Sequence, residues 1–196
     1  MGYTTILDII GSVIMGGVLM VTLLNTSTNA VQNTYNYGGD VSVQQGLALL
    51  VNTIDSDFRK IGYSSIQTIV LNPTQIMILA DTSKIKFLSD VNNNGTIDTV
   101  YYYLTTTSGQ SNSILYRMTH DTVSTAVTYQ YPGVSKFKFA YYDSLGHALS
   151  CPVSTPSKIA KINISLIMQS TTAYNGAYVS TYWNSTKHIA VNVMNR

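Results

Sequence analysis

ILDIIGSVIMGGVLMVTLL, residues 6–24, is the stretch on which the reading of this chain turns. It runs for 19 residues with one charge, Asp8. As a helix rising about 1.5 Å per residue it spans roughly 28 Å, close to the hydrocarbon thickness of a bilayer. Three uses compete for such a segment. A cleaved secretory signal wants a basic start, and no Lys or Arg precedes Arg59. A plain membrane anchor wants flanking cations, and Asp8 is costly in lipid unless paired or near the interface. A helix that packs against copies of itself gives the acid a role: it neutralises the N-terminal amine of a neighbouring copy, in an apolar setting where a charge is tolerated only when paired. Gly11, Ser12, Gly16 and Gly17 permit close helix–helix approach. Each Gly weakens the helix by up to about 1 kcal/mol relative to Ala. Asp8, Gly11, Ser12, Gly16 and Gly17 are therefore the candidate assembly residues.

Outward from this segment the chain turns polar, NTSTNAVQNTYNYGGD over residues 25–40. Tyr37-Gly38-Gly39-Asp40 reads as a helix break followed by an N-cap, with a partly melted region expected near Asn36 to Asp40. Val43, Leu47, Leu50, Ile54, Phe58 and Ile61 then recur at helical spacing, one apolar stripe of an amphipathic helix over 40–62. Gly62 is the C-cap candidate. Beyond Tyr63 the period changes to that of strands, rich in Val, Ile, Thr and Tyr. Candidates are Ser65 to Leu71, Gln75 to Ala80, Ser83 to Leu88, Thr96 to Thr105, Ser113 to Met118, Val134 to Tyr142, Lys158 to Met168 and Tyr178 to Val193. Asn72-Pro73, Asn94-Gly95, Pro132-Gly133 and Asn175-Gly176 punctuate them as turns. The expected fold class is α+β: a long N-terminal helix, apolar in its first half and amphipathic in its second, packed on a mostly antiparallel β-sheet head. The expected division is 1–36 for the apolar helix and 37–196 for the head.

Composition narrows the function. Lys and Arg exceed Asp by only two, and all nine acids are Asp. Nucleic-acid binding, which needs a basic face, is not indicated. Charged residues make up 10 % of the chain, against roughly 25 % in ordinary soluble domains. Ser, Thr, Asn and Gln must supply the polar surface, which suits a secreted, crowded or glycan-covered protein. Cys151 stands alone and His120, His147 and His188 are scattered, so neither a disulfide framework nor a metal cluster is expected.

The order of apolar helix, amphipathic helix and hairpin-rich sheet resembles type IV pilins and the pseudopilins of secretion systems. Within them it is most similar to PilW-like minor pilins and J-type pseudopilins. Four stretches carry the resemblance: Leu7-Asp8-Ile9-Ile10-Gly11, an apolar start with an early acid; Ile54 to Tyr63, an acidic-aromatic-basic helix end closing on Gly62-Tyr63; Asp90 to Tyr103, an acidic hairpin before a Tyr-rich strand; and Val134 to Gly146, a late strand and turn. It implies a pilin-like fold and a structural subunit of an extracellular filament at the cell surface. That subunit would start as a membrane-inserted precursor in the inner membrane and polymerise through its first helix into a helical homo-oligomer, alone or with other pilins. A minor pilin or pseudopilin of a secretion or DNA-uptake apparatus is a second implication. A membrane-anchored adhesin or binding module is the alternative from another class. The family acid is usually Glu and fifth in the mature chain; here it is Asp8, which becomes sixth if cleavage follows Gly2.

One loop carries possible metal chemistry. Asp90, Asn92, Asn94, Thr96 and Asp98 match oxygen-ligand positions 1, 3, 5, 7 and 9 of an EF-hand calcium loop, with Gly95 at position 6. Position 12 is Tyr101 instead of Glu, and the flanks read as strands. Calcium and a plain Asn/Gly hairpin loop are the two readings. Asn25, Asn94, Asn163 and Asn184 are formal Asn-X-Ser/Thr glycosylation acceptors. Asp55 and Asp57 beside Arg59 and Lys60 read as a solvated face. Trp183, with Tyr178 and Tyr182, reads as a half-buried strand aromatic, the alternative being a sugar- or surface-binding patch. No catalytic constellation is recognisable, so an enzyme is not expected.

Overall fold

No proline occurs before Pro73, and the computed structural model of the chain uses that freedom fully. It describes residues 2–66, 71–105, 113–121, 125–171 and 178–188. A single helix, α1, runs Gly2–Arg59 without interruption, about 87 Å at 1.5 Å per residue. The break expected at Asn36 to Asp40 is absent. Asp40 accepts a hydrogen bond from Gln44 one turn on, at 3.2 Å, instead of capping a new helix start. The two glycines cost helix stability without stopping the i→i−4 ladder.

The predicted stripe sits where the periodicity puts it. Val43, Leu50, Ile54, Phe58 and Ile61 are buried, with Leu47 packed against the core. The helix stops as the sequence suggests: Gly62 takes φ +75°, a conformation open to glycine at no steric cost, and its N–H reaches Leu88 O at 2.9 Å.

The head is α+β, and every strand pairing in it is antiparallel. It holds two sheets where the sequence suggested one. Sheet A contains β1 (Met77–Ala80), β2 (Lys84–Ser89), β3 (Asp98–Thr105), β4 (Ile114–His120) and β5 (Val127–Pro132), in the order β1-β2-β3-β4-β5. Sheet B contains β6 (Val134–Tyr142), β7 (Ala148–Leu149), β8 (Lys161–Gln169) and β9 (Ser180–His188), in the order β7-β6-β8-β9. The chain crosses between sheets at Gly133, φ +84°, where a Cβ would meet Gln169 O at 2.5 Å.

Several boundaries differ from the sequence reading. Gln75 and Ile76 belong to a short helix α2 (Pro73–Ile76), because Asn72 Oδ1 accepts from Thr74 N and caps it. A 3₁₀ turn, Pro156–Lys158, precedes β8. Strands β5 and β7 were not foreseen. Ser65 and Ile66 are not in a strand; positions 67–70 and 189–193 of the expected strands lie outside the described residues.

Phe58, in the last turn of α1, is the centre of the core. Its ring lies 5.4 Å from Phe87 and 6.1 Å from Tyr102 on sheet A, and 6.1 Å from Phe139 on sheet B. One helix end therefore joins both sheets, and Tyr102–Phe137 at 6.2 Å bridges them directly. Each such aromatic pair adds about 0.5–1.5 kcal/mol beyond area burial.

Candidate functional site: an uncovered apolar helix clamped to the head

From Gly2 to Val31 every residue of α1 is exposed. Gln32 is the first half-buried residue of the helix, and Gly39 lies near Val179 of the head. The continuously exposed stretch, residues 2–31, is about 45 Å of helix. Ile6, Leu7, Ile9, Ile10, Val13, Ile14 and their neighbours to Leu24 are more than half exposed. They occupy all sides of the helix, not one stripe. A helix apolar all round is one meant to be surrounded, by lipid or by other helices. By length and composition α1 suffices to cross a membrane.

The assembly candidates sit in this projection. Asp8, Ser12 and Gly16 follow one face at four-residue spacing, Gly11 lies beside them and Gly17 on the adjoining side. Among the described residues, apart from the helix's own adjacent backbone, nothing comes within 4 Å of a Cβ built at Gly11, Gly16 or Gly17. Ser12 returns its hydroxyl to Ile9 O at 2.9 Å, which hides a polar group from an apolar neighbour. Asp8 forms no ion pair among the described residues.

At the other end α1 is bolted down by charges that the sequence reading placed in solvent. Asp57 is 3 % exposed. It accepts from Arg117 Nε at 2.6 Å and Nη2 at 2.9 Å, and from Tyr102 Oη at 2.6 Å. Burial alone would lower the Arg117 pKa, but the hydrogen bonds to Asp57 outweigh it and hold it above its ordinary value. Burial, then the Asp57 charge, pushes Tyr102 far up, so its phenol stays a donor. Asp55 pairs with Lys187 of β9. One carboxylate thus ties α1 to sheet A and the next ties it to sheet B. A signal existed: Asp57 falls three residues after Ile54 on the apolar stripe, and Arg117 shares the inward parity of Leu115. Beside the clamp, α1 and β5 enclose a groove of about 1120 Å³ with Asp57 and Arg117 among its lining residues.

The Asp90–Asp98 loop is the turn of the β2–β3 hairpin, closed by the Ser89↔Asp98 pair. Asp90, fully buried, accepts from Ser65 N, Asn94 N and Gly95 N, each at 3.1 Å, and from the Ser65 hydroxyl. Burial works against its ionisation, but the hydrogen bonds from Ser65, Gly95 and Asn94 win and its pKa is lowered. Asp98 accepts from Val91 N at 3.0 Å. Its pKa is raised, by burial first and by the charges of Asp121 and Asp90 as well. Asn92 and Asn94 accept from the backbone two residues on, and Lys60 Nζ donates to Val91 O at 2.7 Å. Tyr101 lies on the opposite face of β3 from Asp98, so position 12 supplies no ligand. Among the described residues no group of three or more His, Cys, Asp or Glu side chains is placed to hold a metal. Asp90, Asn92, Asn94 and Asp98 each accept from at least one backbone N–H of the loop.

The glycosylation candidates are placed as follows. Asn25 lies in α1 and Asn94 in the hairpin turn. Asn163 on β8 lies opposite Thr186, and Asn184 on β9 opposite Ser165. Asn163 donates to Thr186 Oγ1 at 3.2 Å and Asn184 to Ser165 Oγ at 3.1 Å, each using the hydroxyl of the other's motif. Trp183 is half-buried against the core, while Tyr182 is exposed. No family model, curated protein or solved structure matches the chain.

Proposed function

We propose that this chain is a structural subunit of an extracellular, type IV pilus-like filament, polymerising through α1 with its head on the outside. The observation that carries the reading is the projection of α1. Fourteen large apolar side chains between Tyr3 and Leu24 stand exposed; covering them is worth on the order of 20 kcal/mol gross. They lie on every side of the helix, so a two-stranded seam would leave half of them wet. A bundle with neighbours all round covers them, as a bilayer does before assembly. The double clamp at Asp55 and Asp57 supports the same reading, because it makes helix and head one rigid lever, so that fixing the helices fixes the heads. Asp8 then meets the amine of a neighbour inside the bundle. A minor subunit or pseudopilin of a secretion or DNA-uptake machine would use the same helix, and so would an anchored adhesin.

Deleting residues 1–36 separates these uses. On the filament reading the remaining head stays folded and loses all assembly, and Asp8→Asn in the full chain sharply reduces filament yield. A truncated head that performs the native role undiminished rules in favour of the anchored module. Filaments formed at wild-type yield by the Asp8→Asn chain remove the acid's assigned part.

A further inference from the structure

From the distribution of charge on the strands we infer that the outer face of sheet B is a binding surface for an acidic polysaccharide, a polymer of sugars carrying carboxylates or sulfates. The nine strands contain one acid, Asp98, and it faces inward. Two strand cations, Arg117 and Lys187, are consumed by Asp57 and Asp55. The other five, Lys84 and Lys86 on sheet A and Lys136, Lys138 and Lys161 on sheet B, occupy outward positions. None of the five has an acidic partner among the described residues. Packing does not require this pattern, since unpaired lysines on a sheet repel one another and paired ones are easily supplied by alternating with Asp or Glu.

Sheet B concentrates the effect. Lys136 and Lys138 on β6 and Lys161 on β8 span six residue steps of the register, about 20 Å along the strands. Between them lies the amide–hydroxyl ladder of Asn163, Ser165, Asn184 and Thr186, and Tyr182, opposite Ile167, is 60 % exposed. Amides, hydroxyls and an exposed ring offer what sugar hydroxyls and C–H faces need, and the lysines offer what acid groups need. A nucleic acid is the rival anionic polymer, but single strands bind on rows of aromatic stacking platforms, whereas this face is dominated by amides and hydroxyls beside the exposed Tyr182. A second copy fits less well too, because Asp81 and Asp143 are the acids on the surface turns of the described head, and Asp143 is already paired with His147. The inference concerns the head alone and stands whether or not α1 builds filaments; in a filament, repetition would add avidity.

The test uses the full chain in nonionic detergent, with sodium alginate, neutral dextran and a single-stranded oligodeoxynucleotide as probes. Saturable alginate binding, weakened by salt, is expected, with none to dextran. Lys136→Gln/Lys138→Gln/Lys161→Gln should bind alginate at least tenfold more weakly with an unchanged melting curve, and Lys84→Gln/Lys86→Gln should bind as the parent does. Undiminished binding by the triple variant, equal loss in the sheet A variant, or tighter capture of the oligonucleotide each overturns the assignment.

Discussion

Asp57 shows how much one carboxylate decides. Removing either partner of its buried pair leaves a charge without compensation, a loss of about 3–5 kcal/mol. Arg117→Ala and Asp57→Asn should each lower the melting temperature of the head by many degrees, as calorimetry would record. Replacing both with apolar residues of similar size should recover much of the loss. The hairpin carboxylates respond to pH with opposite signs. Asp90 is held below the ordinary range, so its ionised form favours the folded state; that support is present above the unfolded value and is lost as pH falls through the folded one. Asp98 is raised, so its contribution is present at low pH and disappears as pH rises through its folded value. At pH 7, Asp90→Asn should therefore cost about 1–3 kcal/mol and Asp98→Asn less, in urea unfolding; the gap should narrow near pH 3. Because Asp90 is satisfied by backbone donors, a chelator should leave the melting curve unmoved. An upward shift with added calcium would favour the ion-binding reading of this loop.

Helices and strands were legible to different degrees, for reasons visible in particular residues. Strict alternation in Lys136 to Tyr141 and in Ile159 to Leu166 marked β6 and β8, since one face of each is buried. β5 was hidden because most of its residues are exposed on both faces, so no alternation was imposed on VTYQYP. β7, two residues long, is too short for any period. The apolar stripe of α1 was readable, but its continuity through Gly38 and Gly39 was not, because two weak helix formers mark a break only where a cap competes. Nothing lies within 4 Å of a Cβ at Gly38, and at Gly39 the nearest atom is at 3.6 Å. Alanine at each should therefore stabilise α1 by about 0.5–1 kcal/mol, seen as helicity retained to higher temperature. Gly133→Ala should do the reverse, since the crossing between the sheets needs φ +84° and close approach to Gln169 O; its expected cost is about 1–3 kcal/mol in urea unfolding.

At the scale of the molecule, the chain is a rod and a head joined without a hinge. Pattern alone announced the rod, because nineteen residues with one charge have few uses. It did not announce the Asp57–Arg117 clamp, because a long-range ion pair leaves no local period. The clamp makes the rod's direction relative to the two sheets a fixed property of the fold, and a fixed direction is what a repeating assembly requires. In the proposed filament the rod is enclosed by other rods. Cryo-electron microscopy of the full chain after detergent removal tests this most directly. The account predicts helical filaments with α1 from many copies bundled along the axis and the strands of both sheets outside. Discrete particles that never elongate, or filaments held together by the heads with α1 at the periphery, would contradict it.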